Sequence, residues 1–180
     1  MTLFSAVNAA EHSHEHQHEY QPEYKHRIGL GKSSSEIDGH DYGDGFKFTY
    51  GYDFNQIFGF FVSAEKNDDI SVSDSTGSWE SDGTTWKLGT DIGYTFEFDK
   101  LSVKPYGAVG FFSYDETGEI CLHSRYGYGC IPTEYDDSGV YYGLGLRLNY
   151  DRVYIEVQKD FLEVENYDLD QLSFSLGYRF

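Results

Sequence analysis

The histidines near the start of the sequence have the clearest metal-binding chemistry. The tract HSHEHQHE places His12, His14, His16 and His18 at every second position. Imidazole nitrogens at such spacing can bind Zn, Ni or Cu ions. The same composition also describes a solvated tail, because a short polar tract implies no fixed ligand geometry. Metal capture at these residues and an inert tail are alternative interpretations, and we expect no other cofactor.

The two cysteines of the chain lie close together in the segment CLHSRYGYGC. With no third thiol, a disulfide between Cys121 and Cys130 is favoured over a redox or metal site, provided that the compartment is oxidising. Such a bond closes a short loop and contributes roughly 2 to 3 kcal/mol by the chain-entropy estimate. It also shapes the loop tip, where Tyr126 and Tyr128 are candidate interaction residues.

Short acidic stretches offer carboxylates, the ligands that Ca²⁺ prefers. They lie at 67–69, 115–117 and 135–137, and none has the spacing of an EF-hand. Solvated loops that repel one another explain the same residues, so calcium binding is the less favoured hypothesis.

The adjacent pair His123 and Ser124 is the single candidate for a nucleophile and its base. Neighbouring residues on a strand point to opposite faces, which separates the two side chains. We therefore predict a protein that is not an enzyme and name no catalytic residue.

Composition and charge narrow the classes of protein further. The 180 residues carry a formal net charge of -18, so direct nucleic-acid binding is not expected. No run of residues approaches the roughly 18 apolar positions that a membrane-spanning helix requires. The 17 Tyr, 14 Phe and 20 Gly against 3 Pro indicate aromatic-rich strands packed closely on one side.

Three regions are expected along the chain. Residues 1–10, MTLFSAVNAA, resemble the end of a signal peptide, with Val7 and Ala9 at the -3 and -1 positions of a cleavage site. Residues 11–23 form the His-rich tail, which we place in the periplasm. Residues 24–180 form one domain, because no linker divides them.

Residues 24–180 alternate between large apolar and small or polar side chains. The clearest runs place these residues on one face: Phe46, Phe48, Tyr50, Tyr52 and Phe54; Trp86, Leu88, Ile92, Tyr94, Phe96 and Phe98; Val140, Tyr142, Leu144, Leu146, Leu148 and Tyr150; Leu172, Phe174, Leu176, Tyr178 and Phe180. Weaker runs near 24–32, 57–65, 101–112 and 153–161 bring the count to eight strands. Tight connections at 54–56, 98–100 and 150–152 alternate with long ones at 33–44, 66–85, 113–138 and 162–170, the arrangement of an outer-membrane barrel.

The volume of the side chains on each face predicts which face points into the barrel. An eight-stranded barrel has little internal room, and the apolar face is bulky while the opposite face is rich in glycine. The fold class is therefore an all-β, eight-stranded antiparallel up-and-down transmembrane β-barrel, with its aromatic side chains toward lipid. The inward set includes Arg27, Lys47, Lys87, Lys104, Arg147 and Arg179, opposed by Asp53, Glu65, Asp91, Glu97, Glu156 and Asp160. These charges are expected to form a structural plug that leaves no large pore. Pro105 inside a strand, and Phe61 on the inward face, match the pattern imperfectly.

Four segments carry a resemblance to a known family: GFKFTYGYDFNQIFGFFVSAEK, YTFEFDKLSVKPYGAVGFFSY, SGVYYGLGLRLNYDRVYIEVQKDF and the ending LSFSLGYRF. Over roughly positions 25–180 the sequence resembles the Ail/OmpX/Lom family of small outer-membrane β-barrel proteins. The alternating Leu176, Tyr178 and terminal Phe180 look like the signal by which the barrel-assembly machinery recognises its clients.

The resemblance implies a monomeric surface protein in the outer membrane of a Gram-negative bacterium, in contact with outer-membrane lipid and lipopolysaccharide. It implies adhesion to a host or environmental surface ligand, invasion or complement resistance, mediated by long acidic extracellular loops. Two alternatives are an envelope-stability barrel without a dedicated ligand and a lipid A-modifying enzyme. Residues 33–44 hold four acids and no Lys or Arg, whereas relatives that bind polyanionic matrix use basic loop residues.

Overall fold

A computed structural model describes residues 24–37, 40–73, 77–124, 127–164 and 167–180. Strands account for nearly all of these residues. Their bounds are β1 His26–Ile37, β2 His40–Asp53, β3 Phe58–Ser73, β4 Gly77–Gly93, β5 Phe96–Phe98, β6 Leu101–Ser124, β7 Gly127–Tyr150, β8 Val153–Val164 and β9 Tyr167–Arg179. In the described part of the chain, no helix has the length and apolar character needed to cross a membrane.

The strands close into an antiparallel barrel. Each pairs with its neighbours in the order β4-β3-β2-β1-β9-β8-β7-β6-β5, and β4 also pairs with β6 to complete the ring. β4 and β5 follow one another along the same side of β6, so the two together form one strand of the barrel wall. The wall therefore has eight strands. The seam between β1 and β9 runs from Arg27↔Arg179 to Ile37↔Leu169. The eight-stranded antiparallel prediction is confirmed.

Pro105 lies where the wall strand is interrupted. It keeps its register partner Leu146 on β7, but pairing on the other side lapses between Gly93↔Tyr106 and Phe96↔Val103. Proline has no N–H to donate to a neighbouring strand. The gap between β4 and β5 therefore faces Pro105, four residues after β6 begins at a tight turn.

Tight turns join the strands at one end of the barrel, which we call the turn end. Asp99 and Asp151 adopt positive φ values of 59° and 52° there, which aspartate tolerates better than most residues. In the turn between β2 and β3, the Asn55 side-chain oxygen accepts hydrogen bonds from the N–H groups of Ile57 and Phe58, each 2.8 Å long. All three tight connections lie where the sequence predicts them.

The opposite end, which we call the hairpin end, differs from the expectation of long loops. Four hairpins, β1–β2, β3–β4, β6–β7 and β8–β9, extend the wall through most of the segments 33–44, 66–85, 113–138 and 162–170. The loop assignment for these segments is wrong over most of their length. Their outward faces are mostly polar and their inner faces mix polar with apolar side chains, so alternation does not mark them as strands.

Large apolar side chains point outward in a belt around the barrel. Exposed fractions reach 69% for Leu30, 67% for Phe111 and 62% for Phe46, values that suit contact with lipid rather than water. The inward face holds glycines, polar groups and ion pairs. The crowding argument therefore places the aromatic face correctly.

Buried aromatic residues fill the room left by the inward glycines. Tyr106 lies against Gly145, Tyr141 against Gly89, and a Cβ added at either glycine would meet the tyrosine ring. Phe61, whose inward position matches the pattern poorly, is buried in the same cluster of apolar residues as Tyr106 and Tyr141. Placing a large side chain opposite a glycine, which has none, allows close packing in a narrow interior.

Ion pairs fill the rest of the interior. Asp91 forms ion pairs with Arg27, Lys104 and Arg147, with N···O distances of 2.6, 2.5 and 3.2 Å. Nearer the hairpin end, a second group joins Lys47 and Lys87 to Glu65 and Asp160. Such pairs are tolerated in an interior because each charge has close partners.

Asp53 and Glu156 belong to the first group, through Arg27 and Arg147. Two other members of the predicted inward set, Glu97 and Arg179, lie outside these ion-pair groups. Glu97 is exposed and lines an open cavity of about 380 Å³ at the turn end, so its assignment to the buried plug is wrong. Arg179 lines the same cavity and donates to the main-chain oxygen of Tyr24 at 3.2 Å. The interior meets solvent at this end, where Glu97 is exposed although Arg179 stays buried.

Candidate functional site

The β6–β7 hairpin is the longest projection of the barrel. On these two strands the last large exposed apolar pair of the belt is Phe111↔Val140, exposed by 67% and 60%. Thirteen further register pairs follow, from Phe112↔Gly139 to Ser124↔Gly127. At about 3.3 Å per residue, the hairpin continues roughly 40 Å along the strands beyond the belt. It is the part of the described structure best placed to reach a partner outside the membrane.

A disulfide links the two strands near the tip of this hairpin. Cys121 and Cys130 are register partners, with Cα atoms 4.0 Å apart, and their sulfurs are bonded. The Glu119 carboxylate lies near both sulfurs. Because the sulfurs are bonded to each other, they are not thiolate ligands, and this group is not a metal site. The predicted pairing is present, and it fixes the register of the hairpin.

Carboxylates cover the outward face of the hairpin. Asp115 on β6 lies directly opposite Asp136 on β7, and both are exposed. Glu119 and Glu134 are exposed on the same two strands, toward the tip. Like charges placed opposite each other destabilise a strand pair. The fold alone does not require this arrangement, so we call Asp115, Glu119, Glu134 and Asp136 the acidic face and treat it as the candidate interaction site.

The inner face of the hairpin has a different composition. Phe112, Tyr114 and Tyr141 are buried and pack with Leu162 and Leu169 from β8 and β9. Tyr135 packs against this cluster from β7. The aromatic cluster anchors the projecting strands to the barrel, so the acidic face is held on a supported sheet.

The structure places only some of the predicted site residues. His12, His14, His16, His18 and Tyr126 lie outside the described residues, as do residues 1–23 as a whole. Tyr128 is the register partner of His123 on β7, and the description of both residues stops at the backbone. His123 and Ser124 are consecutive residues of β6. The register does bring the acidic stretches 115–117 and 135–137 together, while calcium binding stays a prediction.

The residues of the predicted assembly signal lie on the outer surface of the barrel, on β9 and directly after it. Leu176, Tyr178 and Phe180 are exposed by 56%, 42% and 51%. Phe180 exchanges two main-chain hydrogen bonds with His26, each 2.9 Å long, and stacks on its ring. Recognition of these residues by the assembly machinery stays a prediction.

Sequence reasoning did not identify the acidic face as a surface. Its members lie in segments that the sequence pattern predicts to be loops, where nothing in the sequence pairs residue 115 with residue 136. The predicted disulfide could have shown which residues of the hairpin are paired. Once Cys121 and Cys130 are opposite each other, antiparallel counting back along the hairpin places Asp115 against Asp136.

Comparison with known proteins agrees with this architecture. Residues 1–180 match the family described as "Outer membrane protein beta-barrel domain". The chain belongs to this family. Membership of this outer-membrane barrel family implies the outer membrane of a Gram-negative bacterium. Comparison with curated proteins finds no match.

Among solved structures, the barrel is similar to that of Ail, the attachment invasion locus protein of Yersinia pestis. The TM-score is 0.61 at 20% identity, covering 88% of this chain and 100% of that one. Ail in complex with the heparin analogue sucrose octasulfate gives 0.60 at 21% identity, with the same coverage. The N-terminal β-barrel domain of Pseudomonas aeruginosa OprF gives 0.46 at 14%, covering 86% and 97%. At 20–21% identity, the likeness to Ail shows a shared fold.

Proposed function

We propose that this outer-membrane barrel is a non-enzymatic surface protein whose hairpins contact a host or environmental ligand. In outer-membrane barrels, short turns face the periplasm and long connections face outward. The hairpin end of this chain then lies outside the cell, and the turn end lies in the periplasm. The observation that carries the proposal is the acidic face, presented on a disulfide-linked hairpin far beyond the apolar belt.

The charge of the acidic face indicates the chemistry of the ligand. Between residues 112 and 139 the chain has six acids and a single Arg or Lys. Polyanions are repelled by such a surface, so the contact of Ail with a sulfated sugar is not expected here. Cationic surfaces, such as basic segments of a protein, are complementary to it and associate faster at low salt.

Binding by whole cells tests the proposal. Bacteria displaying Asp115→Asn/Asp136→Asn are expected to bind host cells several-fold less than bacteria with the unchanged protein, with the difference shrinking as salt increases. The matched control is Asp99→Asn/Asp151→Asn, which removes two acids at the turn end. Asparagine accepts the positive φ of those positions.

A second variant, Cys121→Ser/Cys130→Ser, tests whether the hairpin must be held in register, and serum survival is measured in parallel. Equal binding by all variants would contradict the proposal and favour an envelope-stability barrel without a dedicated ligand. A change in the lipid A mass spectrum on expression would instead support an enzyme.

A further inference from the structure

An acidic cavity with an aromatic wall lies on the outward surface of β7, β8, β9 and β1, near the hairpin end. Its volume is about 440 Å³. It lies beside the point where the pairing of β7 with β8 stops, at Tyr141↔Leu162, while both strands continue toward their hairpin tips. Leu162 is part of the lining, together with Val140 from β7. The end of pairing between two neighbouring strands therefore leaves a recess in the barrel wall.

Strand register sets aromatic and acidic residues of this cavity side by side. One row across the four strands consists of Tyr142, Phe161, Asp170 and Glu36. The rings of Tyr142 and Phe161 stack with their centroids 5.2 Å apart. In the next row toward the hairpin tips, Glu163 is the register partner of Asp168. Directly opposed side chains on neighbouring strands lie about 5 Å apart, so a group placed over the rings is within reach of a carboxylate.

The chain places one of its own ammonium groups against this row. Lys159 Nζ lies 2.8 Å from a carboxylate oxygen of Asp170 and 5.1 Å from the centroid of the Phe161 ring. The lysine side chain is 43% exposed, so the contact forms at the surface rather than in the interior. A cation over an aromatic face is attracted by the ring as well as by the carboxylate. These contacts show that the ring and the carboxylate together form a cation site.

Lys159 neutralises only one of the four acids that line the cavity. It pairs with Asp170, and no cation of the described residues forms an ion pair with Glu36, Glu163 or Asp168. Within the described part of the chain, three metal-ligand atoms come within 4.8 Å of one another only at Glu119 and the two cysteines. The carboxylates of the cavity are therefore too far apart to share one small metal ion, whereas a larger organic cation can span them.

We propose that this cavity binds the guanidinium group of an arginine side chain in a basic peptide segment. A guanidinium is planar, stacks on aromatic rings and donates several N–H groups in a fixed fork to carboxylates. Its methylene stem packs on apolar lining such as Val140. In these contacts the guanidinium lies against Phe161 and Tyr142, and its N–H groups reach Glu163 and Asp168.

The position of the cavity identifies the peptide as part of the surface ligand, so the inference rests on the proposed function. Val140 follows Asp136 of the acidic face by four residues on the same strand, or roughly 13 Å. Side chains four apart on a strand point to the same side. A basic segment lying along the acidic face thus continues directly into the cavity, which adds a specific pocket to a contact otherwise made by charge alone.

NMR titration of the folded full chain in micelles measures this binding directly. The probe is the peptide acetyl-Gly-Arg-Gly-amide, and the matched control peptide carries citrulline, which has the shape of arginine without its charge. The arginine peptide is expected to shift the amide signals of residues 161–163 and 168–170, and the citrulline peptide to bind several-fold more weakly. Equal binding of the two peptides would overturn the proposal, as would Ca²⁺ binding at these residues more tightly than the arginine peptide.

Charge variants of the protein separate the cavity from the rest of the surface. Glu163→Gln/Asp168→Asn is expected to weaken binding of the arginine peptide at these residues several-fold. Asp115→Asn/Asp136→Asn removes the same number of charges from the acidic face and is expected to leave this binding nearly unchanged. Equal losses in the two variants would overturn the proposal, because the effect would then be one of net charge.

A third variant tests the role of Lys159. Lys159→Gln removes the ammonium group that already occupies Phe161 and Asp170, so the arginine peptide is expected to bind about two- to threefold more tightly. Folding of every variant is checked by heat-modifiable migration on gels, and weaker binding by a folded Lys159→Gln protein would contradict the proposal. No host cell is present in these measurements, so a failure of adhesion does not change their outcome.

Discussion

At the scale of single residues, the interior is built from complementary pairs. Tyr154 occupies the space above Gly29 and Gly177, as Tyr106 does above Gly145. A narrow barrel cannot hold a large side chain at every inward position. Each buried ring therefore needs a glycine on a neighbouring strand, and a tightly packed core tolerates little added volume.

Gly145→Ala tests this pairing. The new Cβ would lie 2.2 Å from the Tyr106 ring, so the variant is expected to lose about 1 to 3 kcal/mol of unfolding free energy through overpacking. Urea titration in lipid vesicles measures the loss, and adding Tyr106→Leu is expected to restore part of it.

The control lies on the same strand. Gly129 of β7 has no atom within 4 Å of an added Cβ, so Gly129→Ala should leave the urea midpoint nearly unchanged. Equal destabilisation by the two variants would show that loss of glycine flexibility, rather than contact with Tyr106, is responsible.

Most inward charges could be predicted from the sequence, because strand alternation fixes which side chains share a face. Alternation predicts that Asp91 and Arg147 both point inward, and they lie 3.2 Å apart. Glu97 was not, because alternation gives direction and says nothing of depth. Near the turn end the inward direction leads to solvent.

At the scale of elements, the strands are longer than the sequence pattern shows. Alternation is produced by having lipid on one side and the interior on the other, and it weakens where water lies outside the wall. On β6, for example, the consecutive residues Glu116 and Thr117 are both polar, so the alternation is interrupted there. The membrane portion of each strand was therefore predictable from sequence, and the projecting portion was not.

Reduction of the disulfide is expected to loosen the projecting hairpin and leave the barrel intact. The bond closes only the tip of β6–β7, so up to roughly 2 to 3 kcal/mol of local stability depends on it. Hydrogen exchange with and without reductant measures this, and protection should fall between residues 112 and 139 while it persists near Asp91 and Arg147.

Cys121→Ser/Cys130→Ser supplies the control, since reductant should not change its exchange pattern. Loss of protection throughout the barrel on reduction would mean that hairpin and barrel unfold as one unit.

At the scale of the whole molecule, the barrel is a filled cylinder. Ion pairs occupy the middle of the interior, and the cluster of Phe112, Tyr114, Leu162 and Leu169 occupies the hairpin end. Alternation and the volume argument were sufficient to predict this architecture. They could not rank the strand lengths, which depend on pairings between distant segments.

The filled interior predicts that the protein is not a channel. Purified protein in planar bilayers should give no steady conductance in the nanosiemens range, because an eight-stranded barrel leaves no continuous water path past its own side chains. Steady openings of that size would require the ion pairs around Asp91 to separate, and would contradict the packing described for the interior.

The seam between β1 and β9 also governs how the molecule can be made. The strand that completes the cylinder, β9, follows the other strands in the sequence, and until it is synthesised β1 and β8 each present a row of unsatisfied N–H and C=O groups. Hydrocarbon does not tolerate such edges. A chain that lacks β9 therefore has no stable arrangement in the bilayer, and insertion requires that β9 has been synthesised.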